Sequence, residues 1–242
     1  THGEGKDFTH RVARFMERHG IDEPRIRRLL VTARFFEHGN LFFKIEVGAD
    51  GPQEFSWYIR RRPELAVARA WLAEAGVDGD SLDRAARIAQ VLRKRTVHFI
   101  ACAERPSGES LFKLYFSQPD EPAAFGRLAE AATIQGIGED DWSALAAHEA
   151  ELAGRTSFLS LGFAGGELLD GVKIDVAGPP RAVVSDIVER SGCDADAGSR
   201  IDLLLETMGR ERPDYAGFRL SAGRPVATRL YAYSPSEVSS PR

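Results

Sequence analysis

Short runs of alternating apolar and polar residues recur along the chain, and they come in pairs joined by a turn that contains glycine. Side chains on a strand alternate between its two faces, so each pair predicts a β-hairpin with one apolar and one polar face. Proline follows each pair and marks its end. The four predicted hairpins are residues 29–36 with 41–47, 97–102 with 111–116, 156–162 with 172–176, and 217–220 with 228–233.

The segments between the hairpins carry apolar residues at helical spacing, generally in two stretches per gap. The stretch over 81–92 is an example, because Asp80 or Ser81 supplies an N-cap and the apolar residues that follow lie on one face. A further helix is predicted over 7–19. The remaining helices are predicted over 64–74, 122–134, 140–152, 180–190 and 199–208.

Residues 55–60 fit either a ninth strand or a helix that begins near Pro52. We assign them to a helix, because eight strands in four hairpins can close antiparallel whereas nine cannot. The pattern therefore predicts one α/β domain over residues 1–242, built from four αββα units. Its eight antiparallel strands form a closed barrel with an outer ring of helices, since closure removes exposed strand edges. The polar residues 1–6 are interpreted as a disordered or artificial extension outside the fold.

Each predicted hairpin carries a basic residue followed, two positions later, by an acidic residue or a tyrosine. The basic residues recur at intervals of roughly 60 positions, the period of one unit. Residues two apart on a strand face the same way, and the apolar residues between them need a cover of helices. The polar side chains are therefore predicted to point into the barrel: Lys44 with Glu46, Lys113 with Tyr115, Lys173 with Asp175, and Arg229 with Tyr231 and Tyr233.

A simpler alternative for each pair is a solvated sheet face, since lysine is normally exposed. Repetition at equivalent strand positions favours the interior interpretation. Converging cations with tyrosine hydroxyls can bind a diphosphate without a glycine-rich loop. Tyrosine rings can also shield a carbocation. The pattern therefore predicts a site for an ionising allylic diphosphate.

The composition limits the other classes of function. The net charge of -4 and the pI near 5.9 lack the positive excess typical of nucleic-acid-binding proteins, so no nucleic acid partner is expected. Cys102 and Cys193 are the only cysteines, which predicts neither a disulfide framework nor a cysteine metal site. No apolar run is long enough to span a bilayer. We therefore predict a cytoplasmic protein with no membrane partner.

Other motifs favour structural roles. The chain has no Asp-Asp-x-x-Asp, and its six histidines show no zinc-binding spacing, so no metal site is predicted. His98 could reach an acceptor, although a structural role is favoured. Residues 162–166 lack the lysine of a phosphate loop. The basic runs 60–62 and 93–95 are interpreted as solvated helix ends, although a substrate peptide with acidic residues could use them.

Two strand motifs, Lys113-Leu114-Tyr115 and Arg229-Leu230-Tyr231, resemble those of aromatic prenyltransferases of the αββα type, called ABBA or PT-barrel enzymes. The segment 229–233 is similar to the end of bacterial cyanobactin-type peptide prenyltransferases. The resemblance covers most of the chain from about residue 29 onward. Five repeats are usual in that family, so a chain with four would be a shortened member.

The resemblance implies transfer of a dimethylallyl or longer prenyl group from its diphosphate to an electron-rich acceptor. The acceptor would be a peptide side chain, as in RiPP biosynthesis, or a small aromatic natural product. Glu46 is the candidate carboxylate that orients or deprotonates the acceptor, and Asp175 is the second. No cofactor is required, although Mg²⁺ can accompany the diphosphate. The implied diphosphate ligands are Lys44, Lys113, Lys173 and Arg229, and the implied cation shield is Tyr115, Tyr231 and Tyr233.

Two other functions stay open at this point. The first is a noncatalytic barrel that binds a small ligand. The second is a structural or interaction protein whose strands form an open sheet with the polar face exposed to solvent.

Overall fold

A computed structural model describes residues 2–3, 6–35, 40–48, 51–118, 124–192 and 196–231. The chain divides into two compact units. The first comprises Thr1–Phe116 with Leu161–Leu169, and the second comprises Ser117–Ser160 with Asp170–Arg242. Helices and antiparallel strands alternate in both units, which confirms the α/β class. None of the described helices has the length and apolar character needed to cross a membrane.

The first unit contains two helix pairs and two hairpins in the order αα-ββ-αα-ββ. Its elements are β1 (His2–Gly3), α1 (Lys6–Arg18), α2 (Glu23–Phe35), β2 (Asn40–Gly48), β3 (Gly51–Arg60), α3 (Leu65–Glu74), α4 (Gly79–Val91), β4 (Phe99–Glu104) and β5 (Ser110–Ser117). Its strands pair antiparallel in the order β1-β2-β3-β4-β5.

The second unit repeats the order of helix pair and hairpin. Its elements are α5 (Ala124–Ile134), α6 (Glu139–Ala146), α7 (Glu149–Leu152), a 3-10 turn (Ala153–Arg155), the start of β6 (Thr156–Ala164), β8 (Val172–Ala177), α8 (Arg181–Arg190), α9 (Ala197–Thr207), β9 (Tyr215–Leu220) and β10 (Ala227–Tyr231). Its strands pair antiparallel in the order β6-β8-β9-β10. The end of β6 from Leu161 onward belongs to the first unit, as does β7 (Glu167–Leu168), with which it pairs.

The eight longer strands form four hairpins, β2 with β3, β4 with β5, β6 with β8, and β9 with β10. The predicted number of hairpins is therefore right. The strand pairings of the described residues form antiparallel sheets within each unit. None of these pairings closes a sheet into a barrel. Residues His2 and Gly3 pair with Phe42 and Leu41, and α1 begins at Lys6. The interpretation of residues 1–6 as an extension outside the fold is thus wrong for these positions.

The first hairpin was predicted over residues 29–36 and 41–47, but it consists of β2 and β3. Its predicted start and its predicted end are therefore both wrong. Residues 29–35, predicted as a strand, belong to α2. The helix begins at Glu23 and Pro24, and proline is favoured in a first helical turn because its missing N–H has no partner there. Buried Arg25, Leu29 and Thr32 then follow at helical spacing.

The segment predicted as a helix from Pro52 is instead strand β3. Phe55, Trp57 and Ile59 are all buried, and this spacing of two is the period of a strand. Lys44 consequently lies on the first strand of its hairpin, whereas Lys113, Lys173 and Arg229 lie on second strands. The predicted equivalence of Lys44 with the other three basic residues is therefore wrong.

Helices cover the apolar face of the sheet in the first unit. One row across the strands, joined by the register, runs through Phe43, Trp57, Cys102 and Phe112, and all four are buried. The ring of Trp71 on α3 packs edge-on against Phe112, with centroids 5.3 Å apart. This burial is the main favourable contribution to folding of the unit.

Two arginines of α2 attach this helix to the β4–β5 hairpin. Arg25 Nη1 donates to the carbonyl oxygen of Arg105 at 2.5 Å, and Arg28 Nη1 donates to Glu104 at 3.1 Å. Glu104 is fully buried and also accepts a hydrogen bond from the Ser110 hydroxyl. Burial raises the pKa of Glu104 and raises that of the neighbouring Cys102 thiol. Both groups lie on the helix-covered side, so we assign them a structural role.

Ser81 at the start of α4 provides a test of the packing of this helix. Its hydroxyl donates to Asp78, which caps the helix, and accepts from the N–H of Leu168 at 2.8 Å. We expect Ser81→Ala to lower the free energy of unfolding by about 1–3 kcal/mol, because the substitution leaves the buried N–H without an acceptor. Urea denaturation measures this change. The exposed Ser143→Ala on α6 serves as the control and should change stability by less than about 0.5 kcal/mol.

Candidate active site

The strand register of the first unit places the predicted polar residues on one face of the sheet. Phe42 lies opposite Tyr58, Tyr58 opposite Ala101, and Ala101 opposite Lys113, which makes one row across β2 to β5. Lys44 lies two residues beyond Phe42 on the same face. Because the opposite row, through Trp57 and Phe112, lies under the helices, this polar face is the one that they do not cover.

Lys44 and Glu46 form an ion pair on the polar face. Lys44 Nζ donates to Glu46 Oε1, and both side chains are about one third exposed. The sequence analysis assigned Lys44 to a diphosphate and Glu46 to the acceptor. The structure shows the two neutralising one another, so a phosphate oxygen would have to compete with the carboxylate for the ammonium group.

Four aromatic rings cluster on the same face of the first unit. Phe42 stacks on Tyr58 with centroids 4.7 Å apart and planes at 3°. Phe99 meets Phe42 edge-on at 5.8 Å and Tyr115 edge-on at 6.0 Å. Tyr58 lies 6.0 Å from Tyr115. We call Phe42, Tyr58, Phe99 and Tyr115 the aromatic cluster, and its half-buried π-faces are suited to cations and to flat apolar groups.

Of this cluster, the sequence analysis identified Tyr115 alone. Tyr58 was missed because its segment was assigned to a helix. The alternation of polar Ser56, Tyr58 and Arg60 with buried Phe55, Trp57 and Ile59 is the signal that could have found it.

Glu54 is a second carboxylate that the sequence analysis missed. It lies opposite Glu46 in the register and is buried. It accepts a hydrogen bond from the Ser56 hydroxyl at 2.7 Å and pairs with Arg105 Nη2 at 3.2 Å. These two partners hold the Glu54 carboxylate in a fixed position, and Lys44 pairs with that of Glu46.

The second unit presents the same kind of polar face. Lys173 Nζ donates to Asp175 and also to the Tyr231 hydroxyl at 3.1 Å, and it lies 5.2 Å from the centre of the Tyr231 ring. The register places Arg229 opposite Gly217, and Gly217 opposite Asp175, so all of these residues share one face. The structure thus brings together Lys173, Asp175, Arg229 and Tyr231. It adds Arg219 and Tyr215, which the sequence analysis missed, and Tyr233 lies outside the described residues.

Gly217 leaves space for the Lys173–Asp175 pair. A Cβ atom at Gly217 would lie 2.5 Å from Lys173 Cε and 2.8 Å from Asp175 Oδ1. The two side chains therefore lie directly over the glycine backbone of β9. Glycine at this position permits the close approach that a larger residue would prevent.

His98 lies next to β4, and its environment changes the pKa of its imidazole. Burial first, and then the charges of Arg60, Arg62 and Lys94, lower the pKa of His98 from 6.5 to about 4. The imidazole is therefore neutral near pH 7. Among the described residues, no three His, Cys, Asp or Glu side chains are close enough together to hold a metal ion.

The repeated αα-ββ order defines a fold class that is shared with known enzymes. The chain is similar to a solved structure of a 6-dimethylallyl tryptophan synthase, with a TM-score of 0.57, 16% identity, and coverage of 78% of this chain and 61% of that chain. It is also similar to 6-dimethylallyltryptophan synthase from Micromonospora olivasterospora in complex with DMASPP and Trp, with a TM-score of 0.58, 17% identity and the same two coverages.

These comparisons show a likeness of fold to the ABBA type of aromatic prenyltransferase, as the sequence motifs predict. The chain spans 61% of the length of both structures. No protein-family model and no curated protein sequence matches the chain. Likeness to the cyanobactin-type enzymes in particular stays a prediction.

Gly217→Ala tests the packing of the Lys173–Asp175 pair. We expect the variant to lose about 1–3 kcal/mol of stability, because the added methyl group displaces both side chains. Gly126→Ala on α5 is the matched control, since no atom lies within 4 Å of its Cβ position. That variant should be about 0.5–1 kcal/mol more stable than the wild type, because alanine favours helix. Equal stability of the two variants in urea would contradict the close packing.

The environment of His98 predicts a pH dependence of stability. The folded pKa of about 4 lies below the unfolded value of 6.5, so between these values the unfolded chain binds more protons. The stability contributed by neutral His98 is therefore complete above pH 6.5 and is lost as the pH falls towards 4. Urea denaturation across this interval should show a shallower slope for His98→Gln. His10→Gln, on the exposed side of α1, is the control and should keep the part of the pH dependence of stability that His98 contributes.

Proposed function

We propose that the protein is an aromatic prenyltransferase, which moves a dimethylallyl or longer prenyl group from its diphosphate to an electron-rich acceptor. The observation that carries the proposal is the pattern of basic and aromatic side chains on the strand faces of an ABBA-type fold. In the first unit these are Lys44, Lys113 and the aromatic cluster. In the second unit they are Lys173, Arg229 and Tyr231.

The basic residues would bind the diphosphate as it leaves the prenyl group. Ionisation of the allylic C–O bond places negative charge on the diphosphate, and positioned cations stabilise that charge as it develops. Lys113 and Arg229 are our first candidates, because each lies on the second strand of its hairpin, two residues before a tyrosine. The closure of the strands into a barrel stays a prediction from the sequence.

The aromatic rings would protect the prenyl cation from water. Ring faces attract a cation, and their bulk excludes solvent that would otherwise capture it. Tyr115, within the aromatic cluster, and Tyr231, in contact with Lys173, are the described residues with this role. Tyr233 stays a predicted member of the shield.

A carboxylate would accept the proton that the acceptor loses after the new bond forms. We propose Glu46 for this role and Asp175 as the alternative. When a diphosphate oxygen replaces Glu46 on Lys44, the carboxylate is released and becomes available to the acceptor. Glu54 is less suited, because Arg105 and Ser56 already occupy its oxygens.

The identity of the acceptor as a peptide side chain or a small aromatic molecule, the role of Mg²⁺ and the cytoplasmic location stay predictions from the sequence. A noncatalytic barrel that binds a small ligand is the second candidate. The Lys44–Glu46 and Lys173–Asp175 pairs favour it, because they reduce the positive charge available to a leaving group. Binding without turnover would distinguish it from an enzyme.

Lys113→Ala and Arg229→Ala test the proposed enzyme. With dimethylallyl diphosphate and acceptors that contain Trp or Tyr, we expect product from the wild type. Each variant should have a kcat/KM about 10- to 100-fold lower, the effect of losing one hydrogen bond to a charged group. Arg87→Ala on the exposed side of α4 is the control. Absence of both product and diphosphate binding in the wild type would refute the proposal.

Glu46→Gln separates the two roles of the carboxylate. As a proton acceptor, Glu46 contributes to the chemical step, so the variant should have a lower kcat. As a competitor for Lys44, it weakens diphosphate binding, so the variant should bind inorganic diphosphate more tightly in calorimetry. If kcat and the affinity for diphosphate were both unchanged, Glu46 would have neither of the proposed roles.

A further inference from the structure

Two basic segments that are distant in sequence lie side by side in the first unit. Residues 60–62 begin at the last residue of β3, and residues 93–95 follow α4. The N–H of Leu65 donates to the carbonyl oxygen of Arg95 at 2.8 Å, and the N–H of Val97 donates to that of Pro63 at 3.0 Å. We call residues 60–62 and 93–95 the basic patch, and each of its six residues is Arg or Lys.

Four residues of the basic patch lack an acidic partner within the described part of the chain. Arg60, Arg62, Arg93 and Arg95 are exposed and form no ion pair with a described carboxylate. Exposed arginines elsewhere in the chain, such as Arg27 and Arg190, do form such pairs. The patch therefore keeps its positive charge, in a chain whose net charge is -4.

The patch also adjoins the aromatic cluster. Arg60 Cζ lies 5.7 Å from the centre of the Phe99 ring. Arg60, Arg62 and Lys94 are the three cations that act on His98, whose ring lies 4.5 Å from that of Phe99. A ligand with a flat ring on the cluster would thus place any attached group near these cations.

The backbone at Arg93 gives a second, independent reason to assign a function to the patch. Helices α1, α3, α5 and α9 end in the same hydrogen-bonded turn, with a glycine in the left-handed region at Gly20, Gly76, Gly136 and Gly209. Helix α4 ends in this turn too, since Arg93 N–H donates to Gln90 O at 2.9 Å and Lys94 N–H to Ala89 O at 2.8 Å. Its residue at that position is Arg93, with φ of 55°.

Arginine at this position is unfavourable for stability, because a side chain in the left-handed region is strained where glycine is not. Arg62 has the same kind of backbone, with φ of 53°. Arg62 and Arg93 are the two described residues other than glycine with positive φ, and both belong to the basic patch. Strain that is concentrated at one surface is typical of functional sites.

We propose that the basic patch binds an oxyanion, a carboxylate or phosphate group, of a molecule whose apolar part lies on the aromatic cluster. The planar guanidinium groups of Arg60, Arg62 and Arg93 suit the paired oxygens of such a group. Binding at the basic patch does not depend on the proposed prenyl transfer. Only the further statement that the bound molecule is a substrate rests on that proposed function. An oxyanion on the acceptor and the diphosphate of the donor are the two sources of this chemistry.

Two substitutions at Arg93 separate charge from backbone strain. Arg93→Gly removes both, so we expect a higher urea midpoint together with affinity for an anion lowered about threefold or more. Arg93→Lys keeps the charge and the strain but loses the planar guanidinium group. Its midpoint should stay near the wild-type value, and its affinity should lie between those of the wild type and Arg93→Gly. Arg60→Gln combined with Arg62→Gln should weaken binding by about tenfold or more. Arg87→Gln on the exposed side of α4 is the control and should bind as the wild type does.

Calorimetry with two kinds of probe identifies the source of the oxyanion. Inorganic diphosphate represents the donor. Indole-3-propionate and its neutral amide represent the acceptor, because they share a ring and differ in charge. Weaker diphosphate binding in the patch variants assigns the patch to the donor. If the wild type binds the carboxylate more tightly than the amide and the patch variants do not, the patch binds the acceptor.

The histidine next to the patch gives a readout that needs no variant. A bound anion offsets the charges of Arg60, Arg62 and Lys94, so the pKa of His98 measured by NMR should rise towards 6.5 when the probe saturates the protein. The inference is overturned if Arg93→Gly raises stability while every probe binds as it does to the wild type. Binding at the patch without any prenyl transfer would instead refute the proposed function alone.

Discussion

The alternation of side chains along paired strands is the constraint on which the rest of this structure depends. In the first unit, burial of the row from Phe43 to Phe112 under helices fixes which face of each strand is covered. The residues between them are then forced onto the opposite face. The basic, acidic and aromatic side chains share that face because their neighbours in sequence are apolar, and a shift of register by one residue would exchange the two sets.

The ion pairs on the polar faces connect this geometry with the proposed chemistry. A lysine and a carboxylate two residues apart on a strand are close enough to neutralise one another, as Lys44 with Glu46 and Lys173 with Asp175 show. In the absence of ligand, the carboxylate partners the lysine, so that its charge is not left unpaired on a partly buried face. In the proposed reaction the diphosphate takes the place of the carboxylate. The pair is then a resting state of the site.

The basic patch shows the opposite arrangement, because Arg60, Arg62, Arg93 and Arg95 form no ion pair with a described carboxylate and the backbone is strained at two of them. Arg93 occupies a position that four other helices give to glycine. Stability would favour glycine there, so the arginine is a feature that folding alone does not explain. Together with the aromatic cluster beside it, the patch extends the candidate site beyond the four repeated basic residues.

The sequence by itself determined the α/β class, three of the four hairpins and the shared face of Lys173, Asp175, Arg229 and Tyr231, because strand alternation is a local property with a short period. It did not determine the first hairpin. Residues 29–35 and 52–60 are short apolar runs whose secondary structure depends on their tertiary contacts. In the first run, Thr32 accepts a hydrogen bond from Trp71 of α3. In the second, Phe55 packs against Phe15 of α1. Only the tertiary structure brought Phe42, Tyr58 and Phe99 to Tyr115, and residues 60–62 to 93–95, since strand pairing and helix ends join positions that are far apart in the chain.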